Sequence, residues 1–158
     1  MGGIDVKSKN PVLSRPRVLL IFRLIIIHDD KILLIQRSRE DSNNPLKWEI
    51  PGGKLDKGQD LLQSATREMI EEVGLFATPV KQLVFFDSDI GGSKKYKGIP
   101  YIQLAGLYSC EGKKVRLSKE HESYKWVKLN NALKLDLTEF TRKALLAWEA
   151  DIDRFLSK

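Results

Sequence analysis

The chain has 158 residues, 42% hydrophobic and 30% charged, which is the composition of an ordinary globular domain with enough length for a real core. Lys and Arg number 27 against 21 Asp and Glu; the resulting charge of +6 suits an anionic partner such as a nucleotide or nucleic acid, although a solvated lysine-rich surface gives the same balance. A single cysteine, Cys110, excludes an internal disulfide framework and any cysteine-cluster metal site, and is compatible with a reducing cytoplasm.

Residues 1–16 are polar, with Gly2, Gly3, Pro11 and Pro16, and read as a loose arm or edge segment ahead of one domain spanning 17–158. Arg17 to His28 is rich in branched aliphatics and predicts a strand. The apolar run Val18 to Ile27 is too short to span a bilayer, and Arg23 interrupts it. It also lies too far behind a polar start to resemble a signal peptide, so a membrane is not expected and a cytoplasmic location is. His28-Asp29-Asp30-Lys31 predicts a turn, and Lys31 to Arg37 a second strand, the two forming a hairpin. Ser38 to Leu46 predicts a loop, and Trp48-Glu49-Ile50 a short strand ending at Pro51-Gly52-Gly53.

A helix is expected over Asp60 to Val73, with Asp60 as N-cap and Gly74 as C-terminal stop. On a helical projection Leu61, Leu62, Ala65, Met69 and Val73 fall within one arc of about 120°. Glu72 falls inside that arc, Glu68 at its edge and Glu71 just beyond it. The i, i+3, i+4 spacing places three like charges on neighbouring positions, which destabilises a bare helix. A carboxylate on a buried stripe is costly unless paired or bound to a cation. The helix therefore carries a site rather than a solvated face, and a divalent cation is the obvious compensation.

Farther along, Val80 to Phe86 and Ile99 to Tyr108 read as strands flanking a loop, Asp87 to Gly98, that contains Gly91, Gly92, Lys94, Lys95, Tyr96 and Lys97. Val115 to Leu117 and Tyr124 to Leu129 predict further short strands. Thr138 to Leu156 predicts a second long helix, capped by Asp136 or Thr138, with Phe140, Ala144, Leu145, Trp148, Ile152 and Phe155 in helical period. Strands, a helix, more strands and a last helix imply an α/β fold: a mixed sheet covered by helices.

Residues 53–75 resemble the Nudix box, G-x5-E-x7-R-E-U-x-E-E-x-G-U with U a bulky aliphatic. Gly53, Arg67, Glu68, Met69, Glu71, Glu72, Gly74 and Leu75 match in register, while Gln59 stands in place of the first Glu. The approach Trp48-Glu49-Ile50-Pro51-Gly52-Gly53 and the later Glu120-His121-Glu122 with Trp126-Val127 are also similar to the family. The resemblance implies a Nudix fold, an α/β/α sandwich with a mixed sheet. It also implies metal-dependent hydrolysis of a pyrophosphate bond in a nucleoside diphosphate linked to X.

The resemblance assigns the metal ligands to the Gly53 carbonyl, Glu68, Glu71 and Glu72, with Mg²⁺ or Mn²⁺ as cofactor. Glu68, Glu71 or, outside the box, Glu120 or Glu122 would take a proton from the attacking water. Arg67 would orient a carboxylate; in the family the first Glu often pairs with this Arg, and Gln59 keeps an acceptor there but loses the charge. Lys54 is a candidate phosphate contact. Trp48 is a candidate base platform, with core packing as the plainer reading. His28 and His121 lack a paired metal-ligand spacing and read as ordinary surface or hydrogen-bonding residues, and Trp126 and Trp148 as core. Marks of the ADP-ribose, dinucleoside polyphosphate, coenzyme A and NADH subgroups are missing or displaced: Ile90-Gly91-Gly92 lacks the first group's proline, and Tyr96 comes late for the second. A nucleoside triphosphate, oxidised forms included, therefore leads, with ADP-ribose or a nucleotide sugar next. A nucleotide- or RNA-binding module with weak catalysis is the alternative from a different class. A monomer and a homodimer are equally consistent with the sequence.

Overall fold

The structure, a computed structural model, describes residues 17–91 and 96–156, with side chains described as far as Glu149. The expected arm at 1–16, Gly92, Lys94 and Lys95 of the basic loop, and the side chains of Ile152 and Phe155 lie outside the described residues. Strands β1 (Leu19–His28) and β2 (Lys31–Arg37) form the expected hairpin, with Ile27 opposite Ile32 and His28 opposite Lys31. Asp29 turns the chain at a φ of 52°, a conformation Asp tolerates better than most residues.

Short strands β3 (Trp48–Glu49) and β4 (Gly52–Lys54) precede helix α1 (Leu61–Val73). Then follow β5 (Thr78–Ile90), β6 (Pro100–Ser109), β7 (His121–Val127), the short helix α2 (Leu129–Ala132) and α3 (Glu139–Leu156). The sheet order is β3-β2-β1-β6-β5, with β4 joined to β1 and β7 to β2. β1 and β6 run parallel, from Leu19 opposite Tyr101 to Ile27 opposite Ser109, and the other pairs are antiparallel. The sheet is therefore mixed, as expected.

Strand alternation splits the aliphatics between two layers. Phe22, Leu24, Ile26, Leu33 and Ile35 pack with Ala65, Met69 and Val73 of α1. Ile25, Ile27, Ile32 and Leu34 pack with Leu129 and Ala132 of α2 and with Ala144, Leu145 and Trp148 of α3. Each fully buried large aliphatic contributes about 1.5–3 kcal/mol relative to exposure. The result is the α/β/α sandwich. Among the described residues no helix is long and apolar enough to cross a membrane.

The ends of α1 form as their residues dictate. The Gln63 N–H donates to Asp60 Oδ1 at 2.8 Å, and the Asp60 N–H donates to Gln63 Oε1 at 3.3 Å, a reciprocal capping box. Gly74 closes the helix at a φ of 67°, where its missing Cβ matters, and its N–H donates to the Ile70 carbonyl. Asp60→Ala is expected to lower stability by about 1 kcal/mol in denaturant titration.

Three expectations are corrected. Val115 to Leu117 is not a strand: the Arg116 N–H donates to the Val73 carbonyl (2.9 Å) and Ser118 N–H to that of Glu72 (3.0 Å), satisfying groups left open in the last turn of α1. The loop expected from Asp87 begins only after Ile90, because Asp87 to Ile90 pair with Gln103 to Pro100 in spite of two strand-poor aspartates. The final strand starts at His121 rather than Tyr124 and gives way to α2 at Leu129.

Candidate active site

Strand β4 lies antiparallel to β1, with Gly52 opposite Arg23 and Gly53 opposite Phe22. Both glycines mark close approaches. A Cβ on Gly52 would sit 2.1 Å from the Phe22 carbonyl oxygen, and one on Gly53 would sit 2.5 Å from Glu68 Cδ. Helix α1 therefore rests its Glu68 carboxyl directly over the Gly53 backbone. One turn later Glu72 accepts a hydrogen bond from the Gly52 N–H at 3.2 Å. The two carboxylates face a cleft of about 630 Å³, which Gly53, Lys54, Asp56 and Arg67 also line. Arg23, Arg37, Glu49, Glu120 and His121 line it from the sheet side.

Gly53, Lys54, Arg67, Glu68, Glu72 and Glu120 are thus brought together. Lys54 Nζ donates to the Tyr96 hydroxyl at 2.9 Å, tying β4 to the loop after β5. Glu71 does not line the cleft: its side chain is 57% exposed and pairs with Arg67 Nη1 at 3.0 Å. Trp48 does not line the cleft: it is buried in the α3-side core, its backbone N–H donates to the Asp136 carbonyl, and Lys125 lies over its ring. Glu122 accepts from the Arg39 N–H at 2.6 Å and is absent from the cleft lining, which separates it from Glu120. His28 Nδ1 donates to the Cys110 carbonyl at 2.8 Å, an ordinary hydrogen-bonding role.

Sequence reasoning missed four charged residues of the cleft. Glu49, buried, receives Arg37 Nη1 at 2.7 Å and Arg23 Nη1 at 3.3 Å, with His121 Nε2 at 3.3 Å. Arg37 also pairs with Asp41. Burial pushes the Glu49 carboxyl up, but Arg23, His121 and Arg37 outweigh it and hold it below its ordinary value. Asp56, the fourth, lies 2.7 Å from Arg67 Nη2. The available signal for Arg23 was a charge inside an aliphatic strand, since such residues are seldom buried without a partner.

Glu72 differs from Glu49 in having no ion pair among the described residues. Burial pushes its carboxyl up to about 7, and the neighbouring Glu68 charge adds to this, while His121, the Gly52 N–H and Arg23 only partly oppose it. Burial also raises Glu68, against the pull of Arg67 Nη1 at 2.9 Å. Among the described residues no three Asp, Glu, His or Cys side chains converge as a ready-made metal site. Two carboxylates beside a glycine backbone nonetheless fit a hard cation of the Mg²⁺ type. Such ions bind through one or two carboxylates and fill their shell with phosphate and water oxygens. The uncompensated Glu72 supplies the reason for a cation to bind.

Comparison with known proteins finds relatives of this chain and of its fold. The rat (Rattus norvegicus) bis(5'-nucleosyl)-tetraphosphatase (asymmetrical) is 36% identical over 92 residues, which make up 56% of this chain and 60% of that protein. The chain thus spans less than two thirds of that relative. Nucleoside triphosphatase NudI of Escherichia coli strain K12 is 28% identical over 131 residues, 77% of this chain and 89% of that protein. The crystal structure of a MutT NUDIX hydrolase from Burkholderia pseudomallei superposes with a TM-score of 0.65 at 27% identity, covering 83% of this chain and 98% of that one. The family profile described as NUDIX domain matches residues 20–148. That match runs from the first strand into the last helix, well over half of the sequence, and on this ground the chain belongs to the NUDIX domain family.

Proposed function

We propose that the chain is a divalent-cation-dependent pyrophosphohydrolase that cleaves a phosphoanhydride bond in a nucleoside polyphosphate, with a nucleoside triphosphate as the leading substrate. The observation that carries this reading is Glu72 of α1, half-buried with no ion pair among the described residues and set beside Glu68 against the glycine strand. One end of the cleft is built to take a cation. Lys54, Arg23 and Arg37 place positive charge on the same cleft, where phosphates carry the opposite sign. The likeness to NudI, named a nucleoside triphosphatase, extends over a larger share of both chains than the likeness to the rat protein, and this favours the triphosphate.

Glu68 and Glu72, with the Gly53 carbonyl, would hold the ion, and Arg67 would orient Glu68. When bound, Mg²⁺ or Mn²⁺ neutralises phosphate charge and makes phosphorus open to water. Lys54 meets a phosphate oxygen. As the water oxygen bonds to phosphorus, the bridging P–O bond breaks and its electron pair leaves with the departing phosphate. Glu120, exposed on the cleft wall, takes the proton that the water gives up. Glu71 is left out of the ligand set by its place outside the cleft, and Trp48 out of the substrate contacts by its place in the core.

The test is release of phosphate and pyrophosphate with Mg²⁺ or Mn²⁺ across nucleoside triphosphates, oxidised triphosphates, ADP-ribose, sugar nucleotides and dinucleoside polyphosphates. A triphosphate cleaved best is the expected result. Preference for another member moves the substrate assignment within the same chemistry. Cleavage of none of them removes the enzyme reading in favour of a binding module.

A further inference from the structure

We propose that Asp56 is the positioning carboxylate of this site, holding Arg67, and through Arg67 the Glu68 carboxylate, in a chain whose position 59 carries no charge. The proposal rests on the reading of Glu68 as an ion ligand. It starts from the surroundings of one guanidinium. Arg67 Nη1 is shared between Glu68 Oε1 at 2.9 Å and Glu71 Oε2 at 3.0 Å. Its Nε donates to Gln59 Oε1 at 3.3 Å, but that same oxygen also accepts from the Ser64 hydroxyl at 3.2 Å. Gln59 therefore offers a divided and neutral acceptor, which cannot balance a cation.

The remaining nitrogen, Nη2, is the informative one. It is buried and makes no directed hydrogen bond, yet it lies 2.7 Å from Asp56 Oδ2. The charge of Asp56 is what compensates it. Asp56 comes from the connection between β4 and α1, where its own carbonyl accepts from the Gln59 N–H at 3.2 Å. It thus ties the cleft rim to the helix from outside the helix, which Glu68 and Glu71 cannot do. Without the Asp56 charge, the anions left to Arg67 lie on its own helix. Of these Glu71 is the exposed one, outside the cleft, and it competes with Glu68 for the same nitrogen. Arg67 then turns toward Glu71, and Glu68 loses the pairing that fixes it above Gly53.

The roles of Asp56 and of an acid at 59 should therefore be interchangeable. Asp56 is 58% exposed, so Asp56→Asn keeps the fold. Mn²⁺ binding to the full chain, read from the EPR signal of the free ion, should weaken roughly tenfold in Asp56→Asn. Turnover should fall with it through kcat rather than KM. Adding Gln59→Glu to Asp56→Asn should restore both. Wild-type affinity in Asp56→Asn, or a loss that Gln59→Glu fails to repair, overturns the proposal. Glu72→Gln separates the levels: if wild type binds Mn²⁺, Glu72→Gln does not, and Asp56→Asn matches wild type, only the role of Asp56 falls. If wild type neither binds Mn²⁺ nor turns over substrate, both readings fall together.

Discussion

Replacing Glu72 with Gln should cut turnover sharply and, in the metal-free protein above neutral pH, make the fold more stable. The two effects have one cause. In the folded chain the carboxyl is pushed up to about 7, mainly by burial, from an ordinary value of 4.5. Between those values the folded state holds a proton that the unfolded state has released. Stability must therefore fall as pH rises from about 4.5 to about 7, and then level off. The gap corresponds to roughly 3 kcal/mol. Gln keeps a carbonyl acceptor for the Gly52 N–H and cannot ionise, so the loss disappears. Melting in a chelator at pH 8 should show Glu72→Gln above wild type, with the difference closing near pH 4.5. Mn²⁺ should raise the melting point of wild type and leave that of the variant unchanged. Turnover in the variant should fall on the order of 10²–10³-fold. A variant less stable than wild type at pH 8 would show that Glu72 is not the uncompensated charge described here.

The adjacent glycines should respond differently to the same substitution. In Gly53→Ala the added methyl meets Glu68 Cδ, Cγ and Oε1, at 2.5, 2.7 and 2.8 Å. These atoms belong to the far end of a flexible side chain, so the helix turn can absorb them by moving the carboxyl. Stability should change little, while turnover drops on the order of 100-fold because a displacement of about 1 Å is enough to misplace a reacting group. In Gly52→Ala the methyl meets the Phe22 carbonyl oxygen at 2.1 Å and Arg23 Cα at 2.9 Å, both backbone of the paired strand. Here relief requires parting β4 from β1, and the cost should be about 1–3 kcal/mol or more. Denaturant titration and turnover, measured on both variants, separate the two. Equal losses of stability would mean that Glu68 is as firmly held as the strand.

These contrasts reflect what local sequence encodes. The ends of α1 were legible because Asp60, Gln63 and Gly74 act within a few residues of themselves. The ordering of its glutamates was legible too: helical projection puts Glu72 in the apolar arc and Glu71 beyond it. The structure has Glu72 partly buried and Glu71 57% exposed. Where partners lie far apart in the chain, pattern failed. Glu49 meets His121 across 72 positions, so the Arg23–Glu49–Arg37 cluster had no local signature, and Arg23 read only as an interruption. Val115 and Leu117 alternate as a strand would, but the backbone of their neighbours Arg116 and Ser118 serves the open carbonyls of α1, a choice that the side-chain pattern does not encode. Trp48 was ambiguous for a related reason, since a tryptophan beside a glycine turn looks the same whether it packs inward or lines a site.

The measurement that bears most directly on the account is turnover of a nucleoside triphosphate against Mn²⁺ concentration in chelator-treated wild type, with Glu72→Gln in parallel. Wild type should show no turnover without the ion and a saturable rise as it is added, and the variant should show no such rise. Turnover that persists in chelator, or a variant that rises with wild type, would contradict the account.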